Sequence, residues 1–175
     1  DYANLCVDDA GNVYCAGSRW GQYPNKDFAV YKCNSLGTEV WTRFYNNEFN
    51  FEDSMTGMEI NERGDAFVTG YSYIDQQYTS RATTIKYDST GTIKWRKDIS
   101  GSRAVAMTKD IFGNIYIVLN RGYGIVRTVK YDSSGTQKWL IDYIGTSSYS
   151  SILNIASDNY GNVYLCGGTS AVQHP

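Results

Sequence analysis

Apolar and β-branched residues occur along this chain in short runs, separated by small clusters of Asp, Asn, Ser and Gly. Two of the runs, 82–87 and 126–131, are rich in Thr, Val, Ile and Tyr, which favour strands. No segment has apolar residues at the three- and four-residue spacing of an amphipathic helix. The pattern therefore predicts an all-β chain of short strands joined by tight turns.

One hairpin unit occurs three times, at 32–41, 86–95 and 130–139. Each copy predicts a strand, an Asp/Asn-x-x-Gly turn and a second strand. The Asp or Asn side chain can bond the backbone two residues on, and Gly suits the positive φ that closes a type I turn with a G1 bulge. A Trp follows each glycine by four residues, and we expect these rings to form a repeated packing layer. The turn glycines and rings are Gly37, Gly91, Gly135, Trp41, Trp95 and Trp139.

A second hairpin unit alternates with the first and has the same Asp/Asn-x-x-Gly turn. Its glycines are Gly11, Gly64, Gly113 and Gly161, at intervals of 53, 49 and 48 residues. Together the two units predict seven hairpins, or fourteen strands. A period of about 48 residues that contains four short strands is typical of a β-propeller blade. A β-sandwich is the main rival, but sandwiches do not require a four-strand unit to repeat in sequence.

The repeats predict one β-propeller domain over residues 1–175, with about three and a half blades. The predicted limits are 3–45, 56–98 and 103–142 for the blades, about 151–168 for the half blade and 169–175 for a tail. An incomplete ring ends in an unpaired strand edge, which is a template for strand addition. We therefore expect either flanking propeller blades or self-association into an oligomer or filament.

The two ends of such blades differ in variability. Strands that alternate in direction place every Asp/Asn-x-x-Gly turn at one end and the varied connections between hairpins at the other. A uniform end and a varied end are typical of a scaffold that binds with its varied end. The connections are rich in rings with amides and acids between them, which suit a glycan or a wet protein interface. The candidate ligand-binding residues are Trp20, Tyr23, Phe49, Phe51, Tyr73, Tyr78, Tyr123 and Tyr149. The alternative is that these rings only cover the blade ends.

The composition bounds the class of protein and its partners. A chain of 175 residues that is 42% hydrophobic and 19% charged can form one sizeable core. A net charge of −2 gives no reason to expect nucleic acid or an anionic membrane as a partner. No apolar run approaches the roughly 18 residues of a membrane span, so no membrane insertion is predicted. Because the first residue is Asp, we expect a processed product or an excised segment.

Residues suited to catalysis or metal binding are few. The one histidine, His174, lies beyond the repeats, which disfavours Ser-His-Asp and Cys-His sites. Glu52 and Asp53 are a carboxylate pair, but adjacency on a loop does not define the separation that a glycosidase needs. Every turn has an Asp or Asn at the position of Asp8, so turn capping explains Asp8 better than a calcium loop. We predict no catalytic residue, no cofactor and no metal.

The four cysteines lack the spacing of a metal motif. Buried free thiols are the favoured interpretation, although a disulfide between Cys6 and Cys15 across a hairpin is possible. The other two are Cys33, which stands where the other copies have Tyr, and Cys166.

The two hairpins in succession, Asp-x-x-Gly-Asn-Val-Tyr-x-x-Gly and then Lys-Tyr-Asp-x-x-Gly-x-x-x-Trp, resemble the bacterial SBBP-type (YVTG-like) β-propeller repeat over residues 3–168. Leu119, Cys33 and Asn61 depart from its pattern at positions that tolerate change. The resemblance implies a secreted or cell-surface protein without assigned catalysis. We therefore expect a non-enzymatic extracellular module with a structural or interaction role.

The turn-to-Trp motif also resembles the tryptophan docking motif of quinoprotein propellers, which bind pyrroloquinoline quinone. A fragment of a larger propeller, either quinoprotein-like or a sugar-binding lectin, is therefore the alternative.

Overall fold

The residues that the structure describes form fourteen β-strands in four antiparallel sheets and contain no helix. The computed structural model describes residues 3–21, 25–122, 124–144 and 150–169. The all-β prediction is confirmed. The strands are β1 (Ala3–Val7), β2 (Val13–Trp20), β3 (Lys26–Cys33), β4 (Glu39–Tyr45), β5 (Asp53–Ile60), β6 (Ala66–Tyr73), β7 (Ser80–Tyr87), β8 (Ile93–Ser100), β9 (Arg103–Lys109), β10 (Ile115–Asn120), β11 (Ile125–Tyr131), β12 (Gln137–Ile144), β13 (Ser150–Ser157) and β14 (Val163–Thr169).

Each sheet is a meander in which consecutive strands are neighbours. The first sheet has the order β1-β2-β3-β4, the second β5-β6-β7-β8 and the third β9-β10-β11-β12, while the fourth consists of β13 and β14. Successive sheets pack against each other: β5 contacts β1, β2 and β3 of the first sheet, and β9 contacts β5 on one side and β13 on the other. The first strand of every sheet therefore lies along one shared line of contacts. No helix that is long and apolar enough to cross a membrane occurs in these ranges.

The hydrophobic core is divided into layers between the sheets. Tyr14, Trp41 and Tyr87 belong to the layer between the first and second sheets. Ile115 and Ile117 belong to the layer between the second and third sheets, and Tyr116, on the opposite face of β10, belongs to the third layer. Alternate residues of β10 thus enter different layers, as the period of two along a strand requires. The two middle sheets are therefore buried on both faces along their inner strands β6 and β10.

The seven Asp/Asn-x-x-Gly turns form as the sequence predicts. In the first turn, Asp8 Oδ1 accepts hydrogen bonds from the backbone N–H groups of Ala10 and Asn12, at 3.1 and 2.8 Å. Gly11 has φ +76° and donates its N–H to the Asp8 carbonyl at 2.9 Å. The same bonds recur in the other six turns, whose glycines all have φ between +74° and +84°. This conformation favours glycine because a Cβ crowds the backbone there.

The tryptophan layer joins neighbouring sheets. The Trp41 indole N–H donates to the Ser89 carbonyl in the turn of the second sheet at 3.0 Å, and Lys32 Nζ donates to the same oxygen at 3.2 Å. A Cβ on Gly91 would lie only 2.9 Å from the Trp41 ring, so ring and turn are in direct contact. We call this arrangement the Trp–turn contact.

The Trp–turn contact is repeated once along the stack. Trp95 Nε1 and Lys86 Nζ donate to the Ser133 carbonyl at 3.3 and 3.1 Å, and a Cβ on Gly135 would lie 2.9 Å from the Trp95 ring. Trp139 holds the same position on β12, packed near Tyr116 with ring centroids 5.8 Å apart. The described residues supply no following turn for Trp139 to contact.

All four cysteines are free. Cys6 lies opposite Tyr14 in the register of β1 and β2, whereas Cys15 lies opposite Leu5. Side chains of opposed residues share a face of the sheet, so Cys6 and Cys15 lie on opposite faces and form no disulfide. The expectation of buried thiols is wrong for Cys166, which is exposed on the edge strand of the two-stranded fourth sheet. The other three are partly buried.

Candidate functional site

The varied end of the sheets contains a cavity of about 270 Å³ lined by three of the candidate rings, Phe51, Tyr73 and Tyr78. Its polar lining comes from Asn25, Glu52, Asp75 and Gln76. We call it the tyrosine cavity. Phe51 and Glu52 come from the connection between the first and second sheets, and the remaining second-sheet residues come from the end of β6 and the connection to β7. This end therefore gathers rings, amides and carboxylates, as the sequence predicts for the connections.

The other candidate rings are not part of this cavity. Trp20 is 65% exposed at the end of β2, with Lys26 Nζ 5.1 Å from its ring centroid. Phe49 lies 5.5 Å from the Arg81 guanidinium. The remaining three candidates, Tyr23, Tyr123 and Tyr149, lie outside the described residues.

Tyr78 occupies a strained position in a turn. Asp75 Oδ1 accepts from the N–H groups of Gln77 and Thr79 at 3.0 and 2.9 Å, and Tyr78 donates its N–H to the Asp75 carbonyl at 3.2 Å. These are the bonds of the seven glycine turns, but tyrosine stands in the glycine position with φ +59°. This conformation is unfavourable by roughly 1–2 kcal/mol of free energy for a residue with a Cβ. Tyr78 is nevertheless 70% exposed, so burial does not offset the strain.

Strain that packing does not require is typical of functional positions. The hydrogen bonds of Thr79 and Gln77 hold the pKa of Asp75 below its ordinary value, so the turn carries a carboxylate at neutral pH. The cavity therefore combines a fixed, exposed phenol with a negative charge.

A row of tyrosines continues from Tyr78 toward the third sheet. The Tyr73 ring meets Tyr78 and Tyr71 edge to face, with centroid separations of 5.2 and 5.7 Å. The Arg103 guanidinium lies 5.0 Å from the Tyr71 centroid and 5.1 Å from the Tyr73 centroid, within cation–π range. Partial burial raises the pKa of Tyr73, so its hydroxyl stays protonated at neutral pH. Sequence reasoning missed Tyr71 and Arg103 because both lie in strands rather than in connections.

The carboxylate pair Glu52 and Asp53 is divided between two environments. Asp53 is fully buried and accepts hydrogen bonds from the backbone and side-chain nitrogens of Asn47, at 2.9 and 2.8 Å. Burial raises the pKa of Asp53, and the Asn47 bonds counter this effect. Asp53 therefore holds the connection 46–52 in place, while Glu52 is exposed at the cavity.

A second anchor of the same connection is an ion pair. Arg81, whose side chain is 8% exposed, donates to Glu48 Oε1 at 2.6 Å. The hydrogen bond from Arg81 lowers the pKa of Glu48 to about 2. The two anchors fix the backbone that carries Phe51 into the cavity. Among the residues that the structure describes, no three His, Cys, Asp or Glu side chains are placed to hold a metal ion.

Comparisons with known proteins show the fold and little more. No protein-family model matches the chain, and no curated protein matches it. A crystal structure of a protein of unknown function from Bacteroides caccae is similar over 92% of this chain and 51% of its own, with 12% identity and a TM-score of 0.57. A structure described as a "putative gluconolactonase" is similar over 94% of this chain and 55% of its own, with 11% identity and a TM-score of 0.47. The chain spans about half the length of the solved structures it matches.

Proposed function

We propose that this chain is a non-enzymatic β-propeller segment of about three and a half blades that acts as an extracellular or cell-surface interaction module. The four-strand meanders that repeat in sequence and pack through their first strands support the propeller assignment. Under this proposal the sheets are rigid supports, and recognition takes place at the varied end.

Tyr78 carries the binding part of the proposal. An exposed ring is held in a conformation that disfavours it, next to two further rings in the tyrosine cavity. Rings bordered by amides and carboxylates can stack on the apolar face of a sugar and hydrogen-bond its hydroxyls, and they also suit a wet protein interface. A glycan fits the cavity better, because its volume of about 270 Å³ is that of a small-molecule site rather than of a protein epitope.

Replacing Tyr78 with Gly should separate stability from binding. Glycine removes the left-handed strain, so we expect the free energy of unfolding to rise by about 1 kcal/mol, as measured in urea. The same change removes the exposed ring, so we expect any glycan found on an array to bind at least ~10-fold more weakly.

Tyr160→Ala is the matched control for Tyr78→Gly, because Tyr160 is an exposed ring in one of the seven glycine turns at the opposite end and does not line the cavity. It should leave glycan binding unchanged. Equal losses in the two variants, or full binding by Tyr78→Gly, would contradict the site.

A second candidate function is assembly through the open end, which we define as β12 and the edge strand β14. On β4, Arg43 donates to the Gly91 carbonyl at 2.7 Å and Tyr45 is 8% exposed, because the second sheet covers both. The corresponding residues of β12, Ile141 and Tyr143, are 59% and 60% exposed. Together with Trp139, they form the ring side of a Trp–turn contact, for which the described residues supply no turn. We propose that the occupant is a hairpin with the Asp-Ser-x-Gly-Thr turn that the chain itself repeats.

A synthetic hairpin can test the open end. A labelled peptide of residues 80–100, closed into a ring so that the hairpin is preformed, should bind the protein in a fluorescence anisotropy titration. The same peptide with Gly91→Val should not bind, because valine tolerates neither the positive φ nor contact with the ring. Trp139→Ala in the protein should abolish binding of the unmodified peptide, and unchanged affinity would refute the proposal.

A further inference from the structure

Arg103 differs from four other arginines near the varied end. Arg81 and Arg96 approach the carboxylates of Glu48 and Asp98, and Arg121 and Arg127 both approach Asp142. Arg103 makes no ion pair within the described part of the chain. Its guanidinium is instead held over the Tyr71 and Tyr73 rings. A guanidinium that is oriented by rings but not neutralised by a carboxylate is suited to an anionic ligand.

Two cavities meet at Arg103. One, of about 360 Å³, lies between the second, third and fourth sheets and is lined by Ser54, Thr56, Tyr71 and Asn120 together with small apolar residues. The other, of about 320 Å³, is lined by Arg103 and Asn120 again and by the connections that flank β9 and β10. Arg103 also adjoins the tyrosine cavity through Tyr73, which lines that cavity. The guanidinium thus stands between a largely apolar space that also carries hydroxyl and amide groups and the ring-lined space.

The charges on the two sides of Tyr73 are opposite. Glu52 and Asp75 line the tyrosine cavity, so an anion is repelled there, whereas Arg103 on the other side attracts one. A ligand that occupies both sides must be neutral and rich in hydroxyls at one end and negatively charged at the other.

From this geometry we infer that the site binds an acidic saccharide, with a neutral sugar in the tyrosine cavity and a carboxylated sugar on Arg103. The guanidinium offers a planar pair of N–H donors that matches a carboxylate bidentately. The Asn120 side chain and the Ser54 hydroxyl supply hydrogen-bonding groups for the hydroxyls of the carboxylated sugar. This inference rests on the proposed glycan-binding function and specifies its ligand class. A saccharide is favoured over an acidic peptide because the site alternates rings with hydroxyl and amide groups over three small cavities instead of presenting a free strand edge.

The experiment compares one oligosaccharide with its uncharged form. Xylotriose that carries a single glucuronic acid, and the methyl ester of the same molecule, are titrated by calorimetry into the protein at low ionic strength. We expect the acid to bind at least ~10-fold more tightly than the ester, which corresponds to one charge-assisted hydrogen-bonded contact. Arg103→Gln should remove this preference, and Arg103→Lys should retain part of it because the charge remains without the planar fork. Arg63→Gln, an exposed arginine at the uniform turn end, should change nothing.

Each other outcome has a defined meaning. Equal affinity for acid and ester, no binding of either, or an unchanged preference in Arg103→Gln would overturn the inference. Tighter binding of a glutamate-rich peptide that depends on Arg103 would also overturn it. A neutral glycan whose binding depends on Tyr78 but not on Arg103 would refute the acidic ligand and leave the proposed function standing. Loss of the Tyr78 dependence would refute both.

Discussion

Replacing Trp41 with Ala is expected to lower the free energy of unfolding by about 3–5 kcal/mol, the range for deleting a large buried ring. Trp41 is 5% exposed and lies between Tyr14 and Tyr87, with centroid separations of 6.1 Å to each. Its loss opens a cavity in the layer between the first and second sheets and removes the hydrogen bond to the Ser89 carbonyl. That carbonyl keeps its bond from Lys32, so the loss comes mainly from packing.

Trp139→Ala is the matched control for Trp41→Ala. The two rings hold the same repeat position, but no turn of a following sheet covers Trp139 within the described residues. We expect Trp139→Ala to lower stability by less than half as much. Urea unfolding monitored by circular dichroism measures both values. Equal losses would mean that the ring matters within its own sheet and that the Trp–turn contact contributes little.

Local chemistry explains why the turns could be predicted and why the contacts between sheets could not. An Asp or Asn followed by Gly three residues later contains the acceptor, the donors and the φ requirement of its own turn, so seven turns are readable from the sequence. The two Trp–turn contacts join residues 48 and 38 positions apart. The spacing of the tryptophans predicts a packing layer, but it cannot identify the Ser89 carbonyl as the partner of Trp41.

The candidate site shows the same limit. The sequence predicts Phe51, Tyr73 and Tyr78 as binding residues because they lie near or in varied connections. It does not reveal that Tyr78 completes an eighth turn of the same type, since the glycine that marks the other seven is missing. Arg103 begins a strand, and its position over Tyr71 and Tyr73 depends on how the third sheet packs on the second. The lack of an ion pair to Arg103 within the described residues depends on how the sheets pack. The spacing of residues along the sequence does not predict it.

Gly91→Ala is the second substitution with a large expected effect. Alanine at φ +79° is disfavoured by roughly 1–2 kcal/mol, and its Cβ would lie 2.9 Å from Cδ2 and 3.0 Å from Cγ of Trp41. The ring is buried and cannot move away, so overpacking adds a further ~1–3 kcal/mol. We expect a total loss of about 3 kcal/mol in the free energy of unfolding.

Gly37→Ala separates the two contributions, because Gly37 has φ +80° in the same kind of turn and a Cβ there would meet no atom within 4 Å. It should therefore lose only the backbone part, roughly 1–2 kcal/mol. A double-mutant cycle completes the test: in a Trp41→Leu background the overlap with the ring is relieved, so Gly91→Ala should cost no more than Gly37→Ala does in the wild type. If Gly91→Ala remains the more damaging change in that background, the ring is not what the turn glycine accommodates, and the interface between sheets depends on the conformation of the turn alone.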